Sequence, residues 1–281
     1  MTNRQEALKL ISKADKKSKP SLFGRIMGTV EDQLNSANEY YTTAINLLKM
    51  DRPVDYDLVI SIYHRKISNS KISCSNYDII SDYAEIGRLC EKLDRYNDAI
   101  NAYLQAIEYS KCVDINHVKR YMINIAKIHQ KQNEPRKAIE YYTSALSIDE
   151  DHYSYGEMAR LYCELAEYEL AMENYVNAAK SCSDTIKRWT GRDYYVNASL
   201  CGFCLKGLGF TSTFEQFQED CASLPDHPLI KAVLTGLRTN DVEHFRDALA
   251  EHDSLTNNLT DLQVKLLLAI RQKIEAQDEL M

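Results

Sequence analysis

The sharpest invitation to chemistry in this chain is Cys201-Gly202-Phe203-Cys204, two thiols at the spacing used by disulfide oxidoreductases and by half of a zinc site. Each use demands more than the spacing. A redox pair needs a strand before it and a helix after it to lower the first thiol's pKa, whereas YYVNASLCGFCLKG reads as one continuous helix. A structural zinc needs four ligands, and no second CxxC or HxxxH supplies the other two. Seven histidines lie scattered without ligand spacing, and neither a Walker A loop nor a GxSxG elbow occurs. The pair reads as buried helix packing, with a thiol enzyme as the weaker rival. No catalytic residue, metal or cofactor is expected.

A second set of residues is suited to surfaces rather than to bond chemistry. Leu22, Phe23, Ile26 and Met27 lie in a break between helical stretches, at Ser18-Lys19-Pro20-Ser21 and Gly24 to Gly28, with Lys16, Lys17 and Lys19 beside them. Each large apolar side chain left outside a core forgoes roughly 1.5 to 3 kcal/mol. These four either fold back onto the first hairpin or meet an apolar surface.

The elements that position such residues are helices in series. Ala99-Ile100…Tyr103…Ala106-Ile107, Ala138-Ile139…Tyr142…Ala145-Leu146 and Ala178-Ala179…Cys182…Thr185-Ile186 follow one another at about forty residues, and Ala37…Tyr41…Ala44-Ile45 echoes them. Small residues at fixed steps let helices approach closely, so each hairpin buries its apolar face only against the next. The expected helices run from Arg4 to Lys17, Glu31 to Met50, Asp55 to Lys66, Tyr77 to Leu93 and Tyr96 to Ser110. They continue as 114 to 131 with 135 to 148, then 154 to 170 with 173 to 188. Pro135 marks a helix start, where its missing N–H costs nothing. Shorter helices near 193–208, 213–221, 227–238, 241–250 and 258–276 end the chain. The fold class is therefore all-α: a tetratricopeptide-like array of antiparallel helical hairpins forming a twisted sheet over 1–190, with the apolar loop at 20–28, then a C-terminal globular helical bundle with an acidic tail over 191–281.

Composition narrows the partners. Thirty-four basic against forty-one acidic residues give a net charge of −7, which argues against nucleic acid as a partner. The start lacks the apolar core and small-residue cleavage site of a secretory signal, and no stretch nears the roughly twenty apolar residues of a membrane span. Eight cysteines without an export signal suit a reducing cytosol, so the protein is expected to be cytoplasmic.

Four segments together resemble the soluble NSF attachment proteins, nearest the alpha type. They are EALKLISKADKKSKPSLFGRIMG with LNSANEYYTTAINLLKM; NDAINAYLQAIEYS and RKAIEYYTSAL; GRDYYVNASLCGFC; and EHDSL with LLLAIRQKIEAQDELM. The resemblance implies a non-catalytic adaptor that binds the SNARE four-helix bundle in several copies and recruits the NSF-type AAA ATPase for disassembly in vesicle fusion. It implies a reversible membrane surface contact through Leu22, Phe23, Ile26 and Met27, making the protein peripherally membrane-associated. Arg120, Arg160 and Arg192, with Lys119 alongside, stand where the family carries basic SNARE-contacting residues. Without the resemblance they are ordinary solvated helix charges. Another basic position reads Pro225 or Asp226 here. Acids that would meet NSF are expected at Asp241, Glu243, Asp253, Asp278 and Glu279, with Leu280 next to last. Thr235, Arg238, Thr239 and Lys206 stand where the family carries acids. The alternative is a tetratricopeptide-like peptide-binding scaffold not coupled to NSF.

Overall fold

The computed structural model describes residues 2–19, 28–182, 187–256 and 259–278, and among them every regular element is helical. Contacts divide the chain into two compact units, Met1–Glu134 and Pro135–Met281. The first holds α1 (Asn3–Lys17), α2 (Val30–Met50), α3 (Tyr56–Ile72), α4 (Asn76–Lys92), α5 (Tyr96–Ser110) and α6 (Ile115–Lys131). Each packs on the next in the chain. The second unit begins with α7 (Pro135–Leu146), α8 (His152–Glu164) and α9 (Tyr168–Lys180), followed after a short π-helical turn by α10 (Arg192–Lys206). It ends with α11 (Thr211–Asp220), α12 (Pro228–Thr239), α13 (Val242–Thr256) and α14 (Asp261–Asp278).

Local chemistry starts these helices where it should. Thr2 and Gln5 form a reciprocal capping box on α1, and the carboxylates of Asp55, Asp114 and Asp151 accept from otherwise orphaned N–H groups at the starts of α3, α6 and α8. Pro135 opens α7 as expected. The ends are less ordinary. Cys74, Asp94, Asn133 and Ala166 take positive φ (50–60°), and the N–H of the following residue reaches back five positions: Ser75 to Ser70, Arg95 to Cys90, Glu134 to His129 and Glu167 to Tyr162. This left-handed stop satisfies the last carbonyls of one helix and turns the chain into the next.

These four stops set the register of the repeat and correct the reading of its third copy. Ala99, Tyr103 and Ala106 follow Asp94 at the distances that Ala138, Tyr142 and Ala145 keep from Asn133, and Ala171, Tyr175 and Ala178 keep from Ala166. All nine are buried. The third copy is thus Ala171…Tyr175…Ala178, seven residues before the expected Ala178-Ala179…Cys182, and its hairpin is 152–164 with 168–180 rather than 154–170 with 173–188. An alanine at a left-handed turn gives no sequence signal, because glycine or asparagine normally stands there. Each repeat tyrosine then meets a tyrosine of the following helix: Tyr103 stacks on Tyr121 (5.9 Å between ring centres), Tyr142 meets Tyr153 edge-on (6.5 Å) and Tyr175 meets Tyr194 (6.1 Å). Gly87 leaves room for this ladder, since a Cβ there would lie 2.7 Å from the Tyr103 ring.

The second unit closes on a different core. Phe203, Phe210, Phe214, Phe217 and Phe245 are buried with Leu229, Ile230, Val233, Leu266, Ile270 and Ile274, joining α10 to α12 and α14. Lys273 of α14 donates to the carbonyls of Cys204 and Leu205 at 3.1 and 2.6 Å, capping the end of α10.

Candidate functional site

The three arginines singled out by position occupy different electrostatic settings. Arg120 is exposed on α6, its guanidinium 5.0 Å from the centre of the Tyr121 ring and donating to that hydroxyl at 2.9 Å. Among the described residues no carboxylate pairs with it, so its charge is presented to solvent over an aromatic platform. Lys119, beside it, is half-buried. The groove that Arg120 lines also carries Tyr77, Glu85, Arg88, His117 and Asn124.

Arg160 on α8 is clamped between neighbours on its own helix. Glu157 accepts from its Nη2 at 3.1 Å and Glu164 from its Nη1 at 2.5 Å. Burial alone would lower this guanidinium, and the two glutamates overcome that and hold it above its usual value. Two carboxylates on one cation leave little positive field for a partner. Arg192, at the start of α10, lies over the exposed Trp189 ring at 5.5 Å, with Asp193 3.8 Å from its Nε. The basic positions are therefore not equivalent.

Two of the candidate acids of the second unit, Asp241 and Glu243, are committed locally. Asp241 precedes α13, accepting from the N–H groups of Glu243 and His244 at 2.7 and 3.2 Å, and His244 Nδ1 lies 2.6 Å from its other oxygen. That histidine, with the two backbone donors, holds the Asp241 carboxyl below its usual value. Glu243 pairs with Arg246, which also lies near Asp247. Asp253 falls within α13 and Asp278 ends α14. Glu279 and Leu280, and the whole apolar set Leu22, Phe23, Ile26 and Met27, lie outside the described residues.

Cys201 and Cys204 sit in one helix, α10, as the sequence indicates, but do not pair with each other. Cys201 Sγ lies 3.5 Å from Cys163 Sγ of α8, and Cys204 donates to the Leu266 carbonyl at 3.3 Å. The hydrogen bond to Cys163, with burial, raises Cys201 well above the usual thiol value, and burial pushes Cys204 up to about 12. Neither is a thiolate near neutral pH, which is the opposite of what a nucleophile needs. Among the described residues no group of His, Cys, Asp or Glu side chains is placed to hold a metal ion, and no helix is long and apolar enough to cross a membrane.

One cluster escaped the sequence reading. Lys49 and Arg52, at and after the end of α2, meet Arg88 and Lys92 of α4 around a single cavity in the first unit. No spacing rule connects them, since only the packing of α2, α3 and α4 brings them together.

The family model described as Soluble NSF attachment protein, SNAP, matches residues 5–275. The chain is 24% identical over 289 residues to the alpha-soluble NSF attachment protein of Mus musculus, covering 98% of this chain and 96% of that protein. It is 25% identical over 293 residues to the vesicular-fusion protein SEC17 of Komagataella phaffii, covering 98% and 97%. Among solved structures it is similar to BtubC (BKLC) from P. vanneervenii, with a TM-score of 0.45 and 11% identity over 92% of this chain and 96% of that one.

Proposed function

We propose, from the premise that this chain belongs to the soluble NSF attachment protein family, that it is a non-catalytic adaptor which binds SNARE four-helix bundles and recruits an NSF-type ATPase to take them apart. The carrying observation is the family match across residues 5–275, which spans both halves of the chain. Relatives matched over nearly their whole length are named as attachment and vesicular-fusion proteins, none as an enzyme. In this reading residues 1–190 face the SNARE bundle, 191–281 meet the ATPase, and several copies surround one bundle. Leu22, Phe23, Ile26 and Met27 touch the membrane, holding the protein peripherally on the cytoplasmic side. Glu279 and Leu280, with Asp278, form the tail that stimulates ATP hydrolysis.

The surroundings of the basic positions rank their contributions. Arg120, offered on a tyrosine ring without a carboxylate, supplies the main attraction to an acidic bundle, with Lys119 adding to it. Arg160 contributes less because Glu157 and Glu164 already neutralise it, and Arg192 lies between, with Asp193 at 3.8 Å. At the ATPase end, Asp241, Glu243 and Asp253 stand in or beside α13, the first two already tied to His244 and Arg246.

The test follows a fluorescently labelled SNARE bundle mixed with this chain, NSF and Mg-ATP, reading loss of energy transfer. ATP-dependent disassembly that requires the chain is expected. Arg120→Glu should weaken bundle binding by about tenfold or more, and Arg160→Glu by about threefold or less, on the scale of an unpaired against an already paired charge. Equal effects would remove the ranking, and binding without disassembly would remove the ATPase coupling.

A further inference from the structure

Lys49, Arg52, Arg88 and Lys92 line a cavity of about 460 Å³ whose remaining walls are Val54, Tyr56 and Leu89. Four cations facing one space repel each other, so the acids near them decide what the space can hold. Glu85 is the carboxylate that reaches the cluster. It accepts from Lys49 Nζ at 3.1 Å and from Arg88 Nη2 and Nε at 2.8 and 3.1 Å. The Arg88 hydrogen bonds first, and then Lys49, hold its carboxyl down to about 2 against burial, so it is ionised throughout the physiological range. It cancels one charge of the four.

The other two cations have no carboxylate partner among the described residues. Arg52 is held by its Nη1, which donates to the carbonyls of Lys49 and Asp51 at 3.1 and 3.0 Å. Lys92 Nζ lies 5.4 Å from the centre of the Tyr56 ring and donates to its hydroxyl at 3.4 Å. The guanidinium is thus fixed by backbone and the ammonium by an aromatic face, neither of which removes charge. Side chains already held in place lose less freedom when a ligand arrives.

We propose that this cavity binds a polyphosphorylated small molecule of the inositol phosphate class, either free or as the headgroup of a phosphoinositide. A phosphomonoester puts a charge of about −1.5 to −2 and three acceptor oxygens on one compact body, matching several donors converging on one space. A guanidinium meets two of those oxygens with two parallel N–H groups, and an ammonium adds a point charge. Carboxylates on a helical partner arrive singly, about one turn apart, and use such a cavity poorly. Arg88 also lines the groove of Arg120, so the test variants change Arg52 and Lys92, which line this cavity and not that groove.

The test titrates the full chain alone, at physiological salt, with inositol hexakisphosphate by calorimetry. In parallel it measures flotation with phosphatidylcholine vesicles that contain or lack phosphatidylinositol 4,5-bisphosphate. Saturable one-to-one binding is expected, weakened about tenfold or more in the Arg52→Gln/Lys92→Gln double variant. A Lys71→Gln/Lys111→Gln variant, which changes net charge equally outside the cavity, should bind like the parent. Binding in the calorimeter alone assigns a free ligand, and phosphoinositide-dependent flotation assigns the headgroup. No binding in either, or equal weakening in both double variants, would overturn the site. So would loss of SNARE binding in Arg52→Gln/Lys92→Gln when the parent binds no phosphate, since the cavity would then be part of an acidic-protein surface. Because neither SNARE nor ATPase is present in the titration, failure here leaves the adaptor reading untouched.

Discussion

All nineteen tyrosines of the chain lie between positions 40 and 195, while five of its six phenylalanines lie between 203 and 245. The division follows the architecture. In the helical array a buried ring sits one layer below solvent, so a tyrosine can bury its body and still pass its hydroxyl to a polar partner: Tyr41 donates to Asp15 and Tyr103 to Glu91. The bundle closes mainly around phenylalanine rings, and a buried tyrosine among them, Tyr195, donates to Asp220 at 2.8 Å. Phe203 is fully buried between Phe210 and Phe214, with ring centres 5.2 and 5.6 Å away, and phenylalanine leaves no hydroxyl to satisfy there. Polar residues buried as a whole follow the same line: Asn69, Ser70, Asp82, Ser110, His129, Ser154, Asn174 and Ser199 are the ones found among the described residues, none beyond 199, although the Asn240 amide is itself buried within a partly exposed residue. A stack of hairpins has many layers with short routes to water, and a closed bundle has an inside.

The largest effect should come from opening that inside. Phe203→Ala removes a ring wedged against two others and is expected to cost about 3 to 5 kcal/mol, read as the urea midpoint at constant slope. A loss below about 1 kcal/mol would show that the phenylalanine cluster refills itself and behaves no differently from the array.

A smaller, pH-dependent effect should mark the array. Asp82 of α4 is nearly fully buried, meets Lys66 of α3 at 2.8 Å, and leaves its other oxygen without a hydrogen-bond partner. Burial, only partly offset by Lys66, raises its carboxyl to about 6. The folded value lies above the unfolded one of about 3.9, so the fold prefers the protonated acid. The charged form carries a cost present above pH 6 that is relieved as pH falls through 6 towards 4. Stability of the parent relative to Asp82→Asn should therefore rise by about 1 to 2 kcal/mol between pH 8 and pH 5. Glu85 acts oppositely and lower, its contribution present above about 4.3 and lost towards pH 2. A flat difference between parent and Asp82→Asn would mean that water reaches Asp82, and that the array's polar interior is not dry.

The array was largely legible in sequence because its signal is periodic: α1, α2 and α4 to α7 fall within about two residues of their expected ends. The third repeat slipped where Ala166 takes a left-handed turn that no residue type announces. α3 runs to Ile72 rather than stopping near Lys66, because the polar stretch after Lys66 buries Asn69 and Ser70 in a network with Ser18 and Asn38. The basic positions could be placed by resemblance, but not weighed. Glu157 and Glu164 flank Arg160 at helical spacing in the sequence, yet only the clamped geometry shows that its charge is taken. Lys49, Arg52, Arg88 and Lys92 were invisible because a cavity wall drawn from two helices has no linear pattern.

The smallest effect is the most discriminating for the array's use of tyrosine. Tyr103 donates to Glu91 at 2.7 Å, and Glu91 is also reached by Lys131 at 3.2 Å. Burial and then the Glu91 carboxylate raise the phenol above its usual value, so it stays a donor at every accessible pH. Tyr103→Phe keeps the ring beneath Gly87 and against Tyr121, removes one hydrogen bond, and leaves Glu91 with Lys131 and partial contact with water. The expected cost is about 0.5 to 1.5 kcal/mol by urea unfolding, with Lys131→Gln in the same background raising it because Glu91 then loses both partners. A cost near that of Phe203→Ala would mean that the hydroxyl, not the ring, holds the hairpins together. No cost at all would leave the tyrosine ladder without a reason to differ from the phenylalanine core.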